Sequence, residues 1–236
     1  MKFEKKEQII VLISADIEWE AVHKTLSVNS INPSPIGEWF VYPIKTSNGY
    51  KEVVFFHGGW GKISAAASTQ YVIDHWSPSL LINLGTCGGF EGEIEKGRIT
   101  LADRTVVYDI VEQMGDYEEH IAHYTTDIDL SWLDKNYPID VLRTTLVSGD
   151  RDLDPADIQK LKSLYGAVAG DWESGAIAFV AVRNDVRLFI LRGVTDLVGN
   201  RGGEAYGNIE NYKSNAEMII AQLLESLPRW LELVVD

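Results

Sequence analysis

Along the chain, short runs of branched apolar residues alternate with stretches whose apolar positions recur every three to four residues. That pattern predicts alternating strands and helices. Residues 8–14 read as a short buried strand. Residues 38–45 and 51–57 read as strands joined at Ser47-Asn48-Gly49, a hairpin signal because asparagine and glycine tolerate positive φ. Residues 62–75 read as a helix whose three consecutive alanines allow close packing on a sheet. A second buried strand at 79–84 runs into Gly85-Thr86-Cys87-Gly88-Gly89, and 99–111 is rich in strand formers. Further on, 141–148 reads as a strand and 155–164 as a helix, with Asp154 as N-cap and Pro155 at its first position. Residues 167–172 are strand-like, 174–183 helical, and 187–194 a buried strand. A glycine-rich loop at 199–207 leads to a long helix at 212–233, with Pro228 a point of interruption. Residues 112–138 are polar and aromatic with weak periodicity and predict a long loop. There is no repeat or linker. The pattern predicts one α/β domain over 1–236, with a mixed, twisted central sheet flanked by helices.

Composition narrows the function classes. The 236 residues carry a formal charge of −14, which argues against nucleic-acid or anionic-membrane partners, since those need clustered Lys and Arg. One cysteine, Cys87, excludes an internal disulfide and points to a reducing, cytoplasmic setting. The apolar run at 9–13 is short for a signal core, and no stretch approaches the roughly 20 apolar residues of a membrane span.

Five groups of residues are candidates for chemistry. Gly58-Gly59-Trp60-Gly61-Lys62 lies between a strand and a helix; it lacks the third glycine of a dinucleotide fingerprint and fails as a P-loop. It reads either as a tight turn or as backbone that approaches a ligand. Gly85-Thr86-Cys87-Gly88-Gly89 suggests a nucleophile elbow, but the histidines after Cys87, His120 and His123, come too early for such a triad, so Cys87 reads as a buried filler. His120 and His123, with Asp127 and Asp129, read as solvated residues rather than a metal site, which needs three or four converging ligands. In Gly170-Asp171-Trp172-Glu173-Ser174, Glu173 either caps the following helix or accepts the two hydroxyls of a sugar diol, with Trp172 as an apolar wall. Arg192-Gly193-Val194-Thr195-Asp196 ends the next buried strand. Glu18, Thr86, Glu173 and Asp196 all stand at or beyond strand ends, where open α/β sheets bind ligands.

In this order, the segments resemble the purine nucleoside phosphorylase/nucleosidase superfamily, and within it the 5′-methylthioadenosine/S-adenosylhomocysteine nucleosidases. Ser14-Ala15-Asp16-Ile17-Glu18 resembles the first-strand motif whose last acid activates water. Gly61-Lys62-x-x-Ala65-Ala66 resembles the second glycine turn, and Asn83-Leu84-Gly85-Thr86-Cys87-Gly88-Gly89 the strand end whose hydroxyl faces the ribose. Asp171-Trp172-Glu173 resembles the motif whose second acid binds the ribose hydroxyls, and Arg192 to Asp196 the motif whose aspartate serves the purine. The resemblance implies a nucleoside phosphorylase-like three-layer sandwich and cleavage of a purine N-glycosidic bond, with Asp196 and Glu18 catalytic. It implies substrate contacts from Glu173, Trp172, Thr86, Gly88, Asp152, Leu153, Thr195 and Arg192. It implies a small-molecule nucleoside substrate, a homodimer, and no cofactor or metal. An aspartate at 196 suits 6-aminopurines.

Phosphorylases of similar turn sequence place an arginine three residues before the hydroxyl, whereas position 83 is Asn and no arginine precedes Arg98. That favours hydrolysis over phosphorolysis; a phosphorylase and an inactive nucleoside-binding protein of the same fold are the alternatives. Two departures stand out. Arg151-Asp152-Leu153 lies where the nucleosidases usually place an aromatic residue against adenine, and Trp172 replaces a methionine below the ribose. Glu20, two residues beyond Glu18, is a rival base if the strand continues through it.

Overall fold

The computed structural model describes residues 8–234; the two ends of the domain expected over 1–236 lie outside the described residues. In chain order the elements are β1 (Ile9–Ile13), α1 (Asp16–Leu26), β2 (Asn32–Pro33), β3 (Glu38–Thr46), β4 (Gly49–His57), α2 (Lys62–Trp76), β5 (Leu80–Phe90) and β6 (Ile99–Val107). They continue with α3 (Tyr117–His123), β7 (Thr125–Asp127), β8 (Val141–Ser148), α4 (Pro155–Tyr165), β9 (Ala169–Asp171), α5 (Ser174–Arg183), β10 (Arg187–Gly199), β11 (Gly202–Gly203) and α6 (Ile209–Glu232).

The architecture is the mixed, helix-flanked sheet that the pattern predicts. β1 pairs in parallel with both β4 and β5, and β5 in parallel with β10. The hairpin turns where Asn48 and Gly49 predict, Gly49 taking φ +118°. β10 also pairs antiparallel with β6, β6 parallel with β8, β8 parallel with β9, and β9 antiparallel with β5. Those five strands close into a ring, from which β1, β4, β3 and β2 extend as an open sheet. α1 packs with α6 and α2 with α5. β1 is apolar over its whole length, as expected of a parallel strand covered on both faces: all five of its residues are buried.

Three boundaries differ from expectation for physical reasons. β5 and β10 do not stop at Leu84 and Val194 but run on to Phe90 and Gly199, since their glycine-rich upper halves still pair. The stretch at 112–138 is not a plain loop: Asp116 caps α3 by accepting from the Glu118 N–H at 2.8 Å, and β7 pairs with Arg104 to Val106 of β6. α6 passes through Pro228 to Glu232, because buried Leu227, Trp230 and Leu231 hold its last turn despite the lost backbone donor.

Candidate active site

The site is built on a buried cation. Arg192 on β10 is fully buried; its Nε pairs with Asp171 at 2.8 Å and donates to the Ser174 hydroxyl at 3.0 Å. Its Nη2 donates to Asn83 Oδ1 at 2.8 Å and lies 3.8 Å from Glu173. Nη1 lies 4.0 Å from Glu18 and has no hydrogen-bond partner among the described residues. Gly85 makes room for it: a Cβ there would fall 1.7 Å from Nη1. A buried charge persists only when paired and hydrogen-bonded, and here one guanidinium serves three carboxylates.

Glu18 approaches from the first turn of α1, not from a strand. Its Oε1 accepts from the Thr86 N–H at 2.6 Å and the Thr86 hydroxyl at 2.8 Å, and its Oε2 from the Ala15 N–H at 3.3 Å. The helix also separates the rival: residues two apart point to opposite sides of a helix, and exposed Glu20 pairs with Lys213 at 2.9 Å. The strand-based argument for Glu20 therefore fails.

Glu173 arrives from the opposite direction to the other strand ends, because β9 runs antiparallel to the upper part of β5. It does not cap α5. Asp171 does, accepting from the N–H groups of Glu173 at 3.2 Å and Ser174 at 3.1 Å, besides the Ser148 and Ser174 hydroxyls. Glu173 is left to accept from the Gly61 N–H at 3.0 Å. Burial pushes its carboxyl up to about 8, against the opposing pull of Arg192. The first glycine cluster thus spends its helix-start donors on protein carboxylates: Gly61 on Glu173, and Lys62 N–H on Asp150 at 2.7 Å. The Lys62 ammonium pairs with Asp109.

Asp196 sits just past a β-bulge, where the register with β5 slips between Val194 and Asp196 and leaves Thr195 as the extra residue. Bulges redirect side chains beside binding sites, and the Thr195 carbonyl is taken up by the Asn215 amide of α6 at 2.8 Å. Burial raises the Asp196 carboxyl above its ordinary range, while the bond from the Thr195 hydroxyl at 2.8 Å opposes that rise.

Glu18, Thr86, Glu173 and Asp196 face one cavity of about 350 Å³. Gly88, Asp152, Leu153, Trp172 and Thr195 also line it. Arg192 does not; it lies beneath the floor and holds the acids. Three ring-bearing residues were not foreseen. Trp60 meets Trp172 edge-on at 5.5 Å between ring centres. Tyr212 reaches back from α6 to place its hydroxyl 3.1 Å from that of Thr86. Tyr206 comes from the glycine-rich loop. That loop's position after β10 was the signal available in the sequence; nothing in it showed which side chains turn inward.

Cys87 borders the cavity, but burial drives its thiol far above the ordinary range and no histidine lines the wall, so it does not resemble an activated nucleophile. His120 lies 3.3 Å from Glu112, and His123 packs on Phe179. Among the described residues no group of three or more His, Cys, Asp or Glu side chains could hold a metal ion.

A sequence profile of the phosphorylase superfamily matches residues 9–227. The chain belongs to the phosphorylase superfamily. Among curated relatives of this superfamily member, the 5′-methylthioadenosine/S-adenosylhomocysteine nucleosidase of Thermotoga maritima is 29% identical over 180 residues, covering 75% of this chain and 81% of that one. The nucleosidase of the same name from Marinomonas sp. (strain MWYL1) is 26% identical over 188 residues, covering 74% and 81%. The crystal structure of the Campylobacter jejuni 5′-methylthioadenosine/S-adenosylhomocysteine nucleosidase superposes with a TM-score of 0.73 at 20% identity, over 94% of this chain and 99% of that one. Asn83, where a phosphate-holding arginine would stand, is wholly buried; it donates to the Leu12 carbonyl at 3.0 Å and accepts from Arg192, so it turns into the floor. Among the described residues no helix is long and apolar enough to cross a membrane.

Proposed function

We propose that this superfamily member hydrolyses the N-glycosidic bond of an adenine nucleoside, 5′-methylthioadenosine and/or S-adenosylhomocysteine, releasing adenine and the substituted ribose. The observation that carries the reading is the convergence of Glu18, Glu173 and Asp196 on one cavity, each held by different donors. The names of the relatives support the substrate.

Leaving-group departure puts positive charge on the sugar and negative charge on the base. Asp196, which burial inclines toward its protonated form, donates the proton that stabilises departing adenine. Glu173 engages the ribose hydroxyls beside Trp172, and the carboxyl groups gathered around Arg192 stabilise the oxocarbenium-like sugar. Thr86 contacts the sugar from β5, while Gly88 and Leu153 leave room for the base. Glu18 takes a proton from the attacking water, its Oε1 fixed by the Thr86 N–H and hydroxyl. Acid and base thus come from two carboxylates in different surroundings, as in glycosidases.

The reading includes one domain, a cytoplasmic setting and a homodimer. Trp60, Ile63, Val111 and Met114 are exposed apolar side chains on segments tied by the Lys62–Asp109 pair, which supports a second copy covering them. The deciding experiment is release of free adenine from 5′-methylthioadenosine with and without phosphate, with Asp196→Asn alongside. The expected result is phosphate-independent release that falls at least a hundredfold in the variant with the nucleoside still bound. Release only with phosphate would make the protein a phosphorylase; binding without release would make it a sensor of the same fold.

A further inference from the structure

Three strand ends meet behind Glu173: the glycine turn after β4, the segment after β6 that carries Asp109, and the segment after β8 that carries Asp150. One lysine ties them together. The Lys62 ammonium pairs with Asp109 Oδ1 and lies 3.7 Å from Asp150 Oδ2. The Lys62 backbone N–H donates to Asp150 Oδ1 at 2.7 Å, and the Asp150 N–H donates to Asp109 Oδ2 at 2.8 Å. The contacts close a ring through three residues far apart in sequence.

The main chain leaves this ring little play. A Cβ at Gly61, where φ is +84°, would fall 3.2 Å from Asp150 Oδ1, and one at Gly149 would fall 3.2 Å from Asp109 Cγ. Both carboxyls therefore lie against bare backbone. Helix stability does not account for the lysine. Lys62 is the first residue of α2, at the positive end of the helix dipole, where a cation is disfavoured. Its side chain is only 17% exposed and that of Asp109 only 16%, so the ammonium is matched by carboxylates more than by water. What the ring does fix is the residue before it. The Gly61 N–H reaches Glu173 Oε1 at 3.0 Å, the one hydrogen bond to that carboxyl among the described residues. Lys62, Asp109 and Asp150 themselves do not line the cavity.

We propose that Lys62 is a positioning residue of this site: clasped by Asp109 and Asp150, it fixes the start of α2 so that the Gly61 N–H keeps Glu173 aimed at the ribose diol. The inference rests on the adenine-nucleosidase reading above. Lys62 acts through Gly61 and Glu173 and touches no reacting group. Its removal therefore weakens recognition of the two hydroxyls and spares the contacts made to the base.

The test compares wild type with Lys62→Met, free of phosphate, using two probes. One is 5′-methylthioadenosine as substrate; the other is its 2′,3′-dideoxy analogue as competitor, which has no diol to lose. Methionine keeps a straight stem and good helix propensity but carries no charge. KM for 5′-methylthioadenosine should rise about tenfold, while Ki for the analogue stays within about twofold of wild type. Should Lys62→Met fold poorly, Asp109→Asn decides in its place. An amide has one acceptor oxygen where the clasp uses two, so KM should rise about threefold with Ki again unmoved. Equal rises in KM and Ki would mean that the clasp supports the whole cavity rather than Glu173. An unchanged KM would mean that Gly61 holds its place without the clasp. Either result overturns the proposal and leaves the nucleosidase reading intact. A wild-type protein that releases no adenine would instead overturn that reading, and this inference with it.

Discussion

The lower and upper halves of the β5–β10 pair share one parallel ladder yet do opposite work. Below, Leu81, Ile82 and Leu84 pair with Leu188, Phe189 and Leu191, all at most 2% exposed, and Asn83, opposite Ile190, is a buried polar member. Above, Gly85-Thr86-Cys87-Gly88-Gly89 runs beside Arg192 to Leu197, with one bulge and a buried cation. Both halves pair in parallel, the upper one with a slip of one residue at the bulge; the larger difference lies in the side chains. The lower half places apolar area in the core, which drives folding. The upper half places charges out of water, which opposes folding unless every one is matched. The rigid lower half is what holds the costly upper half in geometry, so the two should fail differently when altered.

The largest effect should follow from Arg192→Met. Methionine fills similar volume but leaves Asp171, Glu18 and Glu173 without their shared cation. Breaking a buried pair by removing one partner costs about 3–5 kcal/mol, which for a chain of this size lowers Tm by roughly 10 °C. Adenine release should disappear as well. A thermal melt checks the first point; a Tm within about 2 °C of wild type would mean that the acids are neutral in the fold and the cation is dispensable.

Leu81→Ala tests the other half. Leu81 is fully buried between Ile10 on β1 and Leu188 on β10 in the ladder. The cavity and lost burial should cost about 2–4 kcal/mol. Folded variant protein should keep wild-type kcat and KM, because the core half touches no reacting group. A loss of activity per folded molecule would show that the halves are coupled through the strands rather than stacked independently.

How much of this was legible beforehand follows the same division. The lower half was readable because burial on both faces forces continuous apolar runs, and residues 8–14, 79–84 and 187–194 carry them. The acids were readable as charges standing where those runs end. Three things were not. The ring closure through β6, β8 and β9 depends on pairings between segments far apart in sequence, and it turns β9 against β5 so that Glu173 enters from the opposite side. α1 was missed because the Ser14-to-Glu20 stretch is short, polar and capped by alanine rather than by a recognisable N-cap residue, so Glu18 and Glu20 could not be separated by face. The exchange of roles between Asp171 and Glu173 depends on which carboxylate reaches two consecutive N–H groups, a matter of ångströms that residue type does not encode. Tyr206 and Tyr212 looked like ordinary residues of a loop and a helix start; only the fold of the 199–208 segment turns them inward.

The smallest effect is also the sharpest probe of what the upper half costs. Burial raises the Glu173 carboxyl from its ordinary 4.5 to about 8. A carboxyl that holds its proton more tightly in the fold than in the unfolded chain adds stability below about pH 4.5, and that stability is lost as pH climbs through 8. Glu173→Gln keeps the shape and an oxygen for the Gly61 N–H but has no proton to lose. Near pH 5 the variant and wild type should melt together; by pH 9 the variant should melt higher by a few degrees. It should release adenine poorly throughout, because an amide offers the ribose one acceptor oxygen where a carboxylate offers two. A constant difference in Tm from pH 5 to pH 9 would mean that the carboxyl titrates in the fold as it does in water, and the floor would then owe its acidity to Arg192 rather than to burial. A variant that gains stability at high pH as it loses activity would instead show that the site keeps a charge there at the fold's expense, for the reaction alone.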